Sequence, residues 1–176
     1  MTFETSLSIV TFQILGQNTI MVYDSQLVPD EADIAILREL QQDARISYSE
    51  LARRIGRSTP TVIERIRKLE DAGIIIGSSI RLNLEKLGFG VTALIEVKTD
   101  PMRYEKVLEF ARNREEIREC YFVTGESSFV SRVIAPSIAH LQELIQTFSM
   151  YGSTRTSVVL SSPIIKDFFD LEKIKT

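Results

Sequence analysis

Residues 47–73 read SYSELARRIGRSTPTVIERIRKLEDAG, and this stretch decides the fold of the first half of the chain. Ser47 or Ser49 can N-cap a helix running through Ile55, because a hydroxyl accepts from the free N–H groups of a first turn. Leu51 and Ile55 then share one face at i, i+4 spacing. Gly56 supplies the stop, since only a residue without a Cβ takes positive φ at no cost. Ser58 caps a second helix, with Pro60 in the first turn, where a missing N–H is harmless, and Gly73 at its end. Val62, Ile66, Leu69 and Gly73 recur at helical spacing and must face a core. Thr61, Glu64, Arg65 and Lys68 are thereby set in a row on the opposite side. From Arg53 to Lys68 the chain carries Arg53, Arg54, Arg57, Arg65, Arg67 and Lys68 against one acid, Glu64. Two short helices with that charge bias imply a helix-turn-helix that offers its second helix to a DNA major groove.

The flanks extend this unit. Asp30 to Asp43 (DEADIAILRELQQD) is amphipathic, with Ile34, Leu37 and Leu40 on one side and acids in the first turn, where the helix dipole favours them. It supplies the third helix that the pair needs for a core. After Gly73, IIIGSSIRLN holds two β-prone runs around Gly77-Ser78-Ser79 and predicts a short wing or hinge strand. Three helices and a wing make a winged helix-turn-helix over 30–76. The competing interpretation is a basic amphipathic helix that is only a solvated face.

Length and charge set the outer limits. The chain has 176 residues, enough for one domain or two small ones. Its net charge is −3, so affinity for nucleic acid has to come from a local patch such as the one just described. The single cysteine, Cys120, excludes an internal disulfide and suits a reducing cytoplasm; in the run ECYFV it reads as a buried small hydrophobe. No stretch is long and apolar enough to span a bilayer. Residues 1–29 are expected to be an arm or an extra strand: Glu4 stands where a signal peptide needs positive charge. Met21 is an alternative start.

The pattern changes beyond Leu82. Residues 77–88 read as hinge strand and linker, with one helical turn within Asn83–Gly90. Phe89–Lys98 is a strand and Pro101–Asn113 a helix, with Tyr104, Val107, Leu108 and Ala111 inward. Ile117–Thr124 and Phe129–Ala135 are strands around a turn opened by Gly125. A helix from Pro136 to Tyr151 uses Ile138, Leu141, Ile145 and Phe148 as its buried stripe, and Thr154–Leu160 is the last strand. The order βαββαβ over 89–160 predicts a ferredoxin-like domain, followed by a tail over 161–176. The fold class is therefore α+β. Helices would cover one sheet face; apolar residues at period two on the other predict a dimer, which would present two reading helices to two half-sites.

This combination resembles the Lrp/AsnC family of feast/famine regulators over roughly Asp30 to Leu160. The similarity rests on Asp30, Asp33, Ile36, Leu37, Arg38, Glu39, Leu40, Gln41, Asp43, Arg45, Ile46 and Ser47. It continues through Glu50-Leu51-Ala52, Arg65, Leu69-Glu70, Gly73 and Ile74-Ile75, then Leu87-Gly88 and the strand Arg155-Thr156-Ser157-Val158-Val159-Leu160. The resemblance implies a cytoplasmic DNA-binding transcription regulator built on homodimers that assemble to tetramers or octamers. It also implies a second domain that senses amino acids or related small metabolites between dimers, without a metal or cofactor. Candidate contacts to double-stranded DNA are Arg53, Arg54, Arg57, Ser58, Thr59, Thr61, Glu64, Arg65, Arg67 and Lys68. Thr61, Glu64, Arg65 and Lys68 are placed for base edges, and Arg53, Arg54, Arg57 and Arg67 for phosphates. Candidate effector residues are Gly125, Glu126, Ser128 and Thr156. The family's turn typically reads G-D-x-D-Y; here it is Gly125-Glu126-Ser127-Ser128-Phe129, with Ser128 in place of the second carboxylate. A ligand ammonium gains more from a paired charge than from a hydroxyl, so the expectation is a larger or less charged metabolite, or no ligand, with the turn a plain hairpin.

Two other classes compete. Siroheme decarboxylases resemble the same two-domain build but carry an H-x-Y-N-L-W-F-T type strand, whereas Glu126 to Val133 contains no histidine, tryptophan or asparagine. The only histidine, His140, sits on a helix beside Leu141, and neither a Cys/His cluster nor a Gly-rich phosphate loop is present. A non-enzyme is expected. A protein-interaction module would leave the basic helix without a role.

Overall fold

A computed structural model of the chain describes residues 27–166 and 168–171, together with two short strands, β1 (Phe12–Ile14) and β2 (Gln17–Thr19), paired antiparallel from Phe12↔Thr19 to Ile14↔Gln17. Of the arm expected over 1–29, only these strands and residues 27–29 are among the described residues; Met21 is outside them. Residues 27–80 form one compact unit with 164–166 and 168–171, and Arg81–Pro163 lie in a second.

The first unit contains α1 (Glu31–Gln42), α2 (Tyr48–Ile55) and α3 (Thr59–Asp71). Asp30 caps α1 in a reciprocal box with Asp33: each carboxylate accepts the other residue's backbone N–H, at 2.9 and 3.1 Å. Ser47 caps α2, and Gly56 ends it at φ 66°, a left-handed conformation that spares a glycine the Cβ penalty. Ser58 caps α3. Ile36, Leu51, Ala52, Val62, Ile66 and Leu69 form the buried core between the three helices.

One expectation needs correction here. The β-prone run after Gly73 forms no strand: residues 74–83 carry no ladder, and Ile76, Ile80 and Leu82 are exposed. β propensity is realised only against a neighbouring strand, and none pairs with this run among the described residues. The described residues of the C-terminal tail from Ile164 group with the first unit. They pack with the helices, where the Gln41 amide accepts from Phe169 N at 2.8 Å and donates to Phe169 O at 3.3 Å.

In the second unit β3 (Val91–Lys98), α4 (Tyr104–Arg112), β4 (Ile117–Phe122), β5 (Phe129–Ala135), α5 (Ile138–Ser149) and β6 (Ser153–Val158) give the expected βαββαβ order. The sheet is antiparallel throughout, in the order β4-β5-β3-β6. Ala93, Ile95 and Val97 of β3 and Phe129, Val133 and Ala135 of β5 are buried with Val107 of α4 and Leu141 and Phe148 of α5. Strand alternation turns Leu94, Glu96, Val130 and Arg132 to the other face. That face is not simply apolar: Glu119 pairs with Arg132, and Glu96 with Arg155, between Leu94 and Val130.

Candidate nucleic-acid interface and ligand turn

The face that α3 offers is set by its buried stripe. With Val62, Ile66 and Leu69 in the core, Thr61, Ile63, Glu64, Arg67 and Lys68 are exposed. Thr59, the first helical residue, is half-buried, and the Ser58 hydroxyl is shared with Thr61 Oγ1 at 2.7 Å. Ile63, 45% exposed, was not foreseen, because it stands one position off the core stripe and reads as part of it.

Arg65 departs from the exposed row. Its Nη1 donates to both Asp30 oxygens at 2.9 and 2.8 Å and to Asp33 Oδ1 at 2.8 Å. Asp33 is only 6% exposed. These hydrogen bonds, Asp33's first, raise the Arg65 pKa and, after the backbone bond from Asp33, lower that of Asp30. The guanidinium ties α3 to the start of α1 instead of standing free over a groove.

The charge excess is also smaller in the fold than along the sequence. Arg53 makes a two-pronged contact with Glu50, both distances 2.7 Å, and Arg54 reaches Glu50 at 2.9 Å and Glu39 at 2.8 Å. Arg53, then Arg54, hold the Glu50 carboxyl down to about 2. Lys68 pairs with Glu64 at 2.8 Å and Arg67 with Asp71 at 3.8 Å. Arg57, exposed in the turn before α3, makes no ion pair among the described residues. It is the cation with least to give up on meeting a phosphate.

The second unit brings Gly125, Glu126 and Ser128 together in the β4–β5 turn. Gly125 has φ 115°. Glu126 is exposed and makes no direct hydrogen bond or ion pair among the described residues. The Ser128 hydroxyl is already engaged: it donates to Thr99 O at 3.1 Å and accepts from Thr99 N at 3.3 Å. It therefore pins the end of β3 and is not a free ligand partner. Thr156 does not join the turn. It pairs across from Ile95 on the helix-covered face, and its Oγ1 is buried without a hydrogen-bond partner. Ser127 contributes instead, donating to Glu96 Oε2 at 2.9 Å, while Arg155 grips the same carboxylate at 3.1 and 2.7 Å. That network was missed because its members are far apart in sequence, and only strand register brings Glu96 opposite Arg155.

The helix-turn-helix unit and the separate βαββαβ domain define a two-domain regulator, one part for DNA and the other for a ligand. Residues 29–76 match the winged helix-turn-helix DNA-binding family, and 92–167 match the Lrp/AsnC ligand binding domain. The chain is 38% identical over 133 residues to YezC of Bacillus subtilis strain 168, named an uncharacterized HTH-type transcriptional regulator; the match covers 76% of this chain and 94% of YezC. The structure of B. subtilis LrpC superposes with a TM-score of 0.75 at 31% identity, over 80% of this chain and 100% of LrpC. A feast or famine regulatory protein from M. tuberculosis, complexed with L-methionine, gives 0.72 at 33% identity, over 78% and 96%. The chain belongs to the Lrp/AsnC family of DNA-binding transcriptional regulators. These relatives are named as regulators, not as enzymes. Among the described residues no helix is long and apolar enough to cross a membrane.

Proposed function

We propose that this chain regulates transcription in the cytoplasm as a homodimer that docks α3 of each protomer in a DNA major groove. The observation that carries this is the exposed α3 face beside the unpaired Arg57. Thr61, Glu64 and Lys68 reach base edges in this arrangement, and Ile63 supplies an apolar contact of the kind a thymine methyl accepts. Arg53, Arg54, Arg57 and Arg67 address phosphates. Arg65 acts at one remove, by fixing α3 on α1. In the second domain the unpaired Glu126 carboxylate meets the ammonium of an amino-acid-like effector, and Gly125 lets the backbone approach it. A relative bound to L-methionine supports that ligand class.

Fluorescence anisotropy on DNA from the region upstream of its own gene tests the first part. Specific binding that weakens steeply with salt is expected, and equal affinity for a scrambled duplex would refute it. Calorimetry with L-methionine and related amino acids tests the second. Glu126→Gln should weaken the ligand by roughly one to two decades, because a charge-assisted hydrogen bond contributes roughly 1.5–3 kcal/mol. DNA binding without ligand should be unchanged.

A further inference from the structure

The exposed side of α3 has a centre fixed by its buried one. At about 100° of rotation per residue, Val62, Ile66 and Leu69 share one direction, and Glu64 lies within about 15° of the point opposite to it. Lys68 and Arg67 stand about 50° to either side. The residue placed most directly away from the core of this unit is therefore an acid, on a helix whose other exposed charges are cations.

Stability does not account for that acid. Glu64 meets Lys68 at 2.8 Å, but the two side chains are 67% and 61% exposed, and exposed pairs at this spacing contribute little. General attraction to DNA does not account for it either, because phosphates repel a carboxylate. What an ionised carboxylate can gain in a major groove is a hydrogen bond from the amino group of a base. The Lys68 ammonium, chiefly by its hydrogen bond, holds the Glu64 carboxyl below its usual value, so the group is an acceptor only. Their contact uses Glu64 Oε1 and one Lys68 N–H, which leaves Oε2 to accept and two N–H groups to donate.

A C·G base pair offers the complement. Its major-groove edge sets the N4 amino donor of cytosine beside two adjacent acceptors, O6 and N7 of guanine. An A·T pair fits less well, because its N6 donor separates its two acceptors, N7 of adenine and O4 of thymine. We infer that Glu64 and Lys68 act as one unit that reads a C·G base pair in the DNA site of α3, Glu64 accepting from cytosine N4 and Lys68 donating to guanine; this rests on α3 being the groove-facing helix. The unit adds discrimination more than affinity, since at any pair without that amino group the carboxylate is left without a donor.

Selection from a random duplex library, with the full-length wild type and with Glu64→Gln, tests it. A glutamine pairs with N6 and N7 of adenine, so one C·G position of the wild-type site should become A·T in the variant while the other positions stay. Lys68→Ala should relax that same position. On the wild-type site Glu64→Gln should bind about fivefold to a hundredfold more weakly in anisotropy. On a random duplex it should bind no more weakly, because no cation has been removed. Its circular dichroism and melting temperature should match the wild type. A selected site whose C·G positions are all indifferent to Glu64→Gln and Lys68→Ala overturns this inference and leaves α3 as the reading helix. No selected site at all, or one indifferent also to Thr61→Ala and Ile63→Ala, removes that reading and this inference with it.

Discussion

Arg65 lies on the helix proposed to read DNA, yet its guanidinium turns to Asp30 and Asp33, and Asp33 explains why. A carboxylate that keeps 6% of its surface needs a fixed counter-charge, and Arg65 is the cation within reach. Arg65→Ala should therefore act on stability before recognition, by about 2–3 kcal/mol, below the about 3–5 of a fully buried pair because Arg65 is partly exposed. Urea unfolding of the full chain measures this, and coincident curves for variant and wild type would leave the pair without structural weight. Arg57 is the opposite case. With no acid to leave, Arg57→Ala should keep the wild-type stability but weaken binding to every duplex and flatten the salt slope by about one unit. Arg53→Ala should do less, since Glu50 already neutralises that side chain. Part of this neutralisation was legible, because Glu50, Glu64 and Asp71 stand one helical turn from Arg53, Arg54, Lys68 and Arg67. The rest was not, because Asp30, Asp33 and Glu39 reach Arg65 and Arg54 only after folding.

Elements whose identity depends on their own periodicity were legible, and those that depend on a neighbour were not. The Val62-Ile66-Leu69 stripe and Ser58 place α3 correctly, and of the two serines offered for α2 Ser47 is the cap. In α5 Leu141 and Phe148 are buried, but Ile138, expected in the same stripe, is 59% exposed at the first turn. The run after Gly73 has equal β propensity but no ladder to join, so it stays irregular. Gly152, between α5 and β6, was unremarked in sequence, yet a Cβ there would lie 2.2 Å from the Lys98 carbonyl oxygen. Backbone cannot rotate aside, so Gly152→Ala should cost about 1–3 kcal/mol in thermal unfolding, the range for an overpacked interior. An unshifted melting temperature would show that the β3–β6 register can give. The β4–β5 pair carries a pH-sensitive contact. Arg132, then the Tyr121 hydroxyl, hold the Glu119 carboxyl down from its ordinary 4.5 to about 2. A depressed carboxyl stabilises the fold above its unfolded value and loses that contribution as pH falls through the folded one. The advantage of wild type over Glu119→Gln should thus be present near neutrality and vanish between about pH 4.5 and 2. Glu119 is more than a third exposed, so the effect is modest. A difference independent of pH would assign it to packing.

For the whole molecule, the composition of the second sheet face constrains what can cover it. Leu94, 38% exposed, stands directly across from Arg132 on one side and Ser157 on the other, with the Glu119–Arg132 and Glu96–Arg155 pairs around it. Charges already paired within one protomer can be buried against another copy without leaving an unmatched ion, whereas unpaired ones could not. A twofold axis through this face fits that requirement, because an isologous contact repeats the same self-neutralised surface. In the proposed dimer two copies of α3 would engage two half-sites, and the second engagement would be effectively intramolecular, adding about 10²–10⁴ in avidity when the geometry permits. Leu94→Arg would set a second guanidinium against Arg132 at the centre of the face, with no acid left to neutralise it. Its expected outcome is a shift from dimer to monomer in sedimentation velocity, with a fold unchanged by circular dichroism and operator affinity lowered by about two decades or more. Sedimentation of Leu94→Arg as a dimer with full operator affinity, or of the wild type as a monomer, would remove this face from the assembly.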